Sequence, residues 1–202
     1  MWRNRSAGGY LHTHLRQANK YRRKWYRSKD SRGQLPGKRK IDERPAAVER
    51  RHQLGHWEID TVMGKYGTRP CIVTVVERTT GFVLIGKLKA RTTEEANRST
   101  IELIRRHRDR FRTITADNGT EFHGYQAVED QTNAKYYFAT PYHSWERGTN
   151  ENTNGLIRQY LPKGMSMVRL TQKRCDDIAH ELNNRPRKRH GYKTPAEVFY
   201  AN

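Results

Sequence analysis

HWEIDTVMG (residues 56–64), CIVTVVERT (71–79) and GFVLIGKL (81–88) are three short runs rich in Val, Ile, Thr and aromatic side chains. KYGTRP (65–70) separates the first two, and Thr79, Thr80 and Gly81 separate the second from the third. Such runs read as consecutive strands, because branched and aromatic side chains pack well on a pleated surface. Gly81 suits a hairpin turn, so the second and third strands are expected to pair antiparallel. In the first run, alternation sends Trp57, Ile59, Thr61 and Met63 to one face and Glu58, Asp60 and Val62 to the other. A sheet with helices on both faces buries either set. A carboxylate facing that interior is costly unless it is protonated, paired or bound to metal.

Downstream, Thr92 and Glu95 form a capping-box pattern, and Ala96, Leu103, Ile104, His107 and Phe111 recur at helical spacing to the end of the segment. RTITAD (112–117) reads as a fourth strand, residues 125–131 as a short helix, and AKYYFAT (134–140) as a fifth strand closed by Pro141. A helix over about residues 150–160 should stop at Pro162. Another covers residues 172–184, with Cys175, Ile178, Ala179 and Leu182 on one face. Thr194, Pro195 and Glu197 fall at N-cap, N1 and N3 of a closing helix. The order βββ-α-β-α-β-α predicts an α/β fold, a five-stranded mixed sheet flanked by helices.

Upstream the texture differs. Residues 1–56 hold 16 Lys and Arg against 4 Asp and Glu and few aliphatics. Residues 20–29 are the densest basic stretch and include Arg22, Arg23 and Lys24 beside Tyr21, Trp25 and Tyr26. A short helix over residues 11–26 is expected, within an arm that orders on nucleic acid. We therefore divide the 202 residues into a basic N-terminal extension, 1–50, and one folded core with C-terminal helices, 51–202.

A formal charge of +19 and a pI near 10.3 point to polyanionic partners, without separating DNA from RNA. Cys71 and Cys175 are the only cysteines, which argues against a zinc ribbon or a disulfide framework and fits a reducing, cytoplasmic setting. HELNN (180–184) is not a His-Glu-x-x-His zinc motif. No apolar run approaches the roughly 18 residues that a membrane span needs, and the first residues lack the apolar stretch of a signal peptide.

Asp117 closes the fourth strand and is followed by Asn118 and Gly119. That places its carboxylate at a strand's C-terminal end, where α/β sheets bind ligands, although Asp and Asn also simply make good turns. Glu151 sits in the first turn of its helix, where the macrodipole favours a negative charge by roughly 0.3–1 kcal/mol. Glu151, Asn154, Gly155 and Arg158 share one helical face. Gly155 there costs about 1 kcal/mol against Ala and suggests close approach of a partner, and Arg158 beside it suits a phosphate. Three carboxylates so placed match two Mg²⁺ ions, which take hard oxygen ligands and leave positions for water and phosphate.

Glu146 and Glu121 compete for the third position. Glu58, Asn118 and His143 are candidate supporting residues, His143 to orient water or a phosphate. Trp145 and Tyr142 either stack on an unpaired base or pack the loop. Lys163, Arg158, Asn154 and the arm at Arg22, Arg23 and Lys24 are candidate DNA contacts.

GHWEIDTVMG (55–64), ITADNGTEF (114–122), TPYHSWERGTNENTNGLIRQYLPKG (140–164) and NNRPRKRHGYKTPAEVF (183–199) closely resemble blocks of bacterial transposases of the insertion-sequence-thirty family. The resemblance runs from about residue 40 to the end, and RSAGGYLHTHLRQ (5–17) is similar to the segment just before the family's core. It implies a retroviral-integrase-like, ribonuclease-H-like fold with a DDE triad at Asp60, Asp117 and Glu151. The last two are separated by 33 residues, a spacing typical of that family. It further implies two Mg²⁺ or Mn²⁺ ions, strand cleavage and strand transfer on transposon ends and target DNA, and a homo-oligomer on DNA. Family members begin with helix-turn-helix regions, and nothing before Arg16 is long enough for one, so the chain is expected to be a truncated form. The alternatives are a ribonuclease-H-like nuclease and a non-catalytic DNA-binding remnant or regulator.

Overall fold

A computed structural model of the chain describes residue 4, residues 6–14, residue 35 and residues 37–201 except Tyr142. The chain divides into two compact units, residues 1–31 and 32–202. In the first, a 3-10 turn covers Leu11–His14. The rest of the helix expected over residues 11–26, with Arg22, Arg23 and Lys24, lies outside the described residues.

In the second unit the strands are β1 (His56–Met63), β2 (Cys71–Glu77), β3 (Val83–Leu88), β4 (Thr113–Ala116) and β5 (Lys135–Phe138). They form one mixed sheet in the order β3-β2-β1-β4-β5. The β1–β2 and β2–β3 pairs are antiparallel, and β1–β4 and β4–β5 are parallel. The hairpin turns at Gly81, whose φ of 75° an L side chain rarely adopts. The buried Glu77 carboxylate secures the same turn by accepting from the Thr79 and Thr80 amides and the Thr80 hydroxyl.

The helices are α1 (Ala47–Arg50), α2 (Thr93–Arg105), α3 (Tyr125–Thr132), α4 (Gly148–Ile157), α5 (Gln172–Asn183) and α6 (Pro195–Tyr200). Thr92 caps α2 by accepting from the Glu95 amide, but the Glu95 carboxylate turns to the Lys89 amide, so only half of the expected box forms. At α6 both halves form. The helical reading through Phe111 was too long. After Arg105 a 3-10 turn spans Arg108–Arg110 and Phe111 is extended, because the chain must reverse into β4. The apolar spacing there reflects aromatic packing: Phe111 stacks on Trp57 at 4.2 Å, and His107 meets Phe82 edge-on.

Both faces of the sheet are covered. Trp57, Ile59, Val73 and Val75 pack with Ile101 and Ile104 of α2, Val128 of α3 and Phe199 of α6. On the other face Val62, Ile72, Val76 and Ile85 meet Leu156 and Ile157 of α4 and Ile178 and Leu182 of α5. Contact with α2 is tight at Gly86, where an added Cβ would lie 2.1 Å from Ser99 Oγ.

The sheet edges are closed by side chains and by chain, which removes the exposed backbone groups that an edge would otherwise present. On β3, Asn183 accepts from the Val83 amide and donates to its carbonyl, while Gln172 accepts from the Lys87 amide and donates to the Ile85 carbonyl. The two amides sit at opposite ends of α5, so the helix is pinned along the edge. On β5, Lys40 bridges Phe138, and the Arg39 guanidinium forks onto Glu129 at 2.5 and 3.0 Å.

His56 opens β1 almost fully buried, its Nδ1 2.8 Å from Thr113 Oγ1. Burial, together with Arg112, Arg78 and Arg44, pushes its pKa down to about 4. A depressed pKa makes the neutral ring's contribution complete above the ordinary value of 6.5 and lost as pH falls toward about 4. Urea unfolding between pH 7 and 4 should show stability falling with acid, and His56→Gln should flatten that fall. An unchanged slope would exclude His56 as the source.

Candidate active site

Asp60 lies on β1 directly across from Thr74 of β2, on the face that α4 covers. Asp117 follows the last residue of β4, the parallel neighbour of β1, and its Oδ1 accepts from the Gly119 amide at 2.9 Å. The parallel pairing of β1 with β4 thus brings Asp60, midway along β1, beside Asp117, just past the end of β4.

Arg147, at the N-cap of α4, links them. Its Nη1 is 3.6 Å from Asp60 Oδ1 and its Nη2 is 3.5 Å from Asp117 Oδ2. Burial pushes the Asp60 pKa up to about 6; Arg147 pulls against this, and the Asp117 charge adds to it. Asp60 is further held by the Thr61 amide on Oδ1 and by Asn154 Nδ2 on Oδ2, both at 2.9 Å. Asn154 is itself oriented by the Thr74 hydroxyl, 3.0 Å from its Oδ1, and the same hydroxyl is 3.0 Å from Asn150 Oδ1.

Glu151 is exposed, one helical turn before Asn154. Among the described residues no three His, Cys, Asp or Glu side chains stand close enough to hold one ion. The structure therefore gathers Asp60, Asp117, Asn154 and Arg147, and leaves Glu151 outside that group. Two adjacent, partly exposed carboxylates are still the hard oxygen donors that Mg²⁺ or Mn²⁺ takes, so the pair fits such an ion.

Beneath the site runs a buried charge network. Glu58 is fully buried on the Asp60 face; its Oε1 is 3.3 Å from Arg78 Nη1, and its Oε2 accepts from the Asn150 amide at 2.7 Å. Arg78 continues to Glu49 and to the Glu146 carbonyl. Arg44 joins from Glu49 and donates to Thr115 Oγ1. Burial and the Arg78 charge lower the Arg44 pKa to about 10. Glu58 thus holds the first turn of α4, the turn that carries Arg147 and Glu151.

Residues 50–144 match the integrase core domain family. The transposase for insertion sequence element IS4351 of Bacteroides fragilis is 43% identical over 199 residues, covering 98% of this chain and 61% of the relative. Transposase InsI for insertion sequence element IS30A of Escherichia coli is 36% identical over 203 residues, covering 98% of this chain and 52% of the relative. This chain spans 61% and 52% of the length of these two curated relatives. The catalytic core domain of BIV integrase superposes with a TM-score of 0.54 at 18% identity, covering 74% of this chain and 95% of that one, a likeness of ribonuclease-H-like fold.

Around the acid pair the other sequence candidates are engaged as follows. Glu121 is buried and accepts from Arg91 Nε and Thr61 Oγ1, both at 2.7 Å. Burial would raise its pKa, but those two hydrogen bonds hold it below the ordinary range. Glu146 accepts from the Thr140 amide at 2.7 Å and lies 3.2 Å from His143 Nδ1, which ties the loop before α4. Asn118 accepts from Lys38 and donates to the Ala139 carbonyl, fastening the ends of β4 and β5 behind Asp117. His143 stacks on the exposed Trp145 at 4.3 Å; Tyr142 lies outside the described residues. Arg158 donates to the Met63 and Leu161 carbonyls, and Lys163 is exposed.

Arg147, Thr74 and Arg78 escaped the sequence reading. Each had a signal. A cation just before a helix opposes the macrodipole, and Thr74 and Arg78 are polar residues inside or closing an otherwise aliphatic strand. Glu58→Ala should cost about 3–5 kcal/mol in urea unfolding, because it strands a buried guanidinium. Glu58→Met with Arg78→Met should recover most of the loss; a cost under about 1 kcal/mol for the single change would remove the pair from the site's foundation.

Proposed function

We propose that this chain is the catalytic core of a DNA transposase, with Asp60, Asp117 and Glu151 as the acids that hold two divalent ions, Mg²⁺ or Mn²⁺. The observation that carries the reading is the convergence of Asp60, midway along β1, and Asp117, just past the end of parallel β4, in a stretch that matches the integrase core domain family. Glu151 enters as the third acid by its place on α4, one turn from the asparagine bonded to Asp60.

The reaction is phosphoryl transfer without a covalent enzyme intermediate. Water attacks the phosphorus at the element's end, the P–O3′ bond breaks and a 3′-hydroxyl is freed. That hydroxyl then attacks a target phosphodiester, forming a new P–O bond as the target strand's 3′-oxygen leaves. Bound divalent ions would activate the attacking oxygen and stabilise the leaving one. Asn154 and Thr61 fix the Asp60 carboxylate, and the Gly119 amide fixes that of Asp117, so neither acid must reorganise when substrate arrives. Asn154, first proposed as a DNA contact, is assigned to orienting Asp60. Lys163, Arg158 and the extension, residues 1–50 with Arg22, Arg23 and Lys24, would carry the backbone contacts, and the net charge of +19 favours DNA capture. Residues 51–202 would form the catalytic unit, acting as a homo-oligomer on transposon ends and target DNA in the bacterial cytosol.

The position of Glu151 outside the acid pair favours one second reading, a DNA-binding regulator without turnover. Asp60→Ala, Asp117→Ala and Glu151→Ala should each abolish Mn²⁺-dependent cleavage and joining of oligonucleotide duplexes, while DNA affinity holds or rises as a repulsive charge is removed. A variant that keeps its activity loses its place in the triad. Salt-sensitive binding by the parent chain with no turnover even on pre-nicked ends would establish the regulator instead.

A further inference from the structure

The Arg147 side chain is only 14% exposed, yet its contacts are long. Charge-assisted bonds from guanidinium to carboxylate run at about 2.7–2.9 Å, whereas Arg147 stands 3.6 and 3.5 Å from Asp60 and Asp117. Its Nη1 donates at 3.3 Å to the Ile59 carbonyl, and its Nε is buried with no hydrogen-bond partner. Arg39 gives the contrast within the same protein, closing a fork on Glu129 at 2.5 and 3.0 Å and sealing a sheet edge. Arg147 attracts two acids and clamps neither.

The acids, for their part, do not depend on it for position. Asp60 is held by the Thr61 amide and Asn154, and Asp117 by the Gly119 amide. Withdrawing the guanidinium would leave both carboxylates in place and remove only its charge. Two partly buried like charges side by side repel unless one keeps its proton or a cation lies between them, and Arg147 places its cation there.

We propose that Arg147 is the built-in counter-ion of the Asp60–Asp117 pair, occupying it when no metal is bound and yielding it to a divalent cation. This rests on the reading of Asp60 and Asp117 as metal-holding acids. A dication bonded directly to both carboxylates outcompetes a guanidinium held at 3.5 Å or more, but it must first displace that charge. Arg147 therefore weakens metal binding while it protects the metal-free fold. It stands four positions before Glu151, about one turn away, so the exchange frees the segment that must deliver the third carboxylate.

The test uses the full chain at low ionic strength, with Mn²⁺ binding measured by calorimetry and thermal unfolding followed with and without Mn²⁺. Arg147→Gln removes the charge at similar length; its Mn²⁺ affinity should rise on the order of tenfold or more, as relief of repulsion within a few ångströms requires. Its metal-free melting point should fall while the rise produced by Mn²⁺ grows. Arg147→Lys should stay close to the parent. A merely structural arginine would lower metal affinity when lost, so equal or weaker binding by Arg147→Gln overturns the proposal. Asp60→Asn should abolish Mn²⁺ binding in either background; if it does not, the metal-site reading fails, and this proposal with it. In the unmutated chain, phenylglyoxal modification of Arg147, read by peptide mass spectrometry, should accelerate with Mn²⁺, and an unchanged rate is equally fatal.

Discussion

Two carboxylates, Glu58 and Asp60, stand two residues apart on the face of β1 that α4 covers, and much of the site's architecture answers the need to satisfy them. A buried charge must find a partner or neutralise. Glu58 recruits Arg78 and the first turn of α4; Asp60 recruits Asn154 from the next turn, and Arg147 from the N-cap. The helix is thereby aligned on the strand by polar contacts at one end and by Leu156 and Ile157 in the core at the other. Burial of charge here is a means of fixing the register between a helix and a sheet.

The same constraint separates two kinds of carboxylate. Glu77, Glu121 and Glu146 accept from local amides, hydroxyls or Arg91 and hold a turn, a strand end and a loop, with one oxygen each of Glu77 and Glu121 buried and unbonded. Asp60 and Asp117 share a single guanidinium at distances too long for hydrogen bonds, and both remain partly open to solvent. Acids that stay accessible to solvent are where a cation or substrate can arrive, whereas Glu77 and Glu121 are sealed in the interior. Access to solvent, more than proximity, distinguishes the acid pair from the buried carboxylates around it.

The sheet edges matter to the site as well. Asn183 and Gln172 pin α5 along β3, and α5 packs with α4 in one core, so the face carrying Asp60 cannot slip by a residue. On the far side, residues 38–40 close β5, and Lys38 reaches Asn118 beside Asp117. Both edges therefore stiffen the two strands that bear the acids.

Local patterns were sufficient for the strands, for the hairpin at Gly81, for the cap at Thr194 and for placing Glu58 and Asp60 on one face, because alternation, turn chemistry and capping involve neighbours in the chain. The motif blocks around Asp60, Asp117 and Glu151 were equally legible as a resemblance. Tertiary structure alone decided the rest. That Phe111 leaves the helix to stack on Trp57, that Thr74 faces Asn154, and that Arg147 lies between two acids follow from strand order and helix docking, which join residues 30 to 87 positions apart. Charges on one helix or strand can be paired from periodicity. A guanidinium shared by acids on two strands has no period, and only the folded sheet brings its partners within reach.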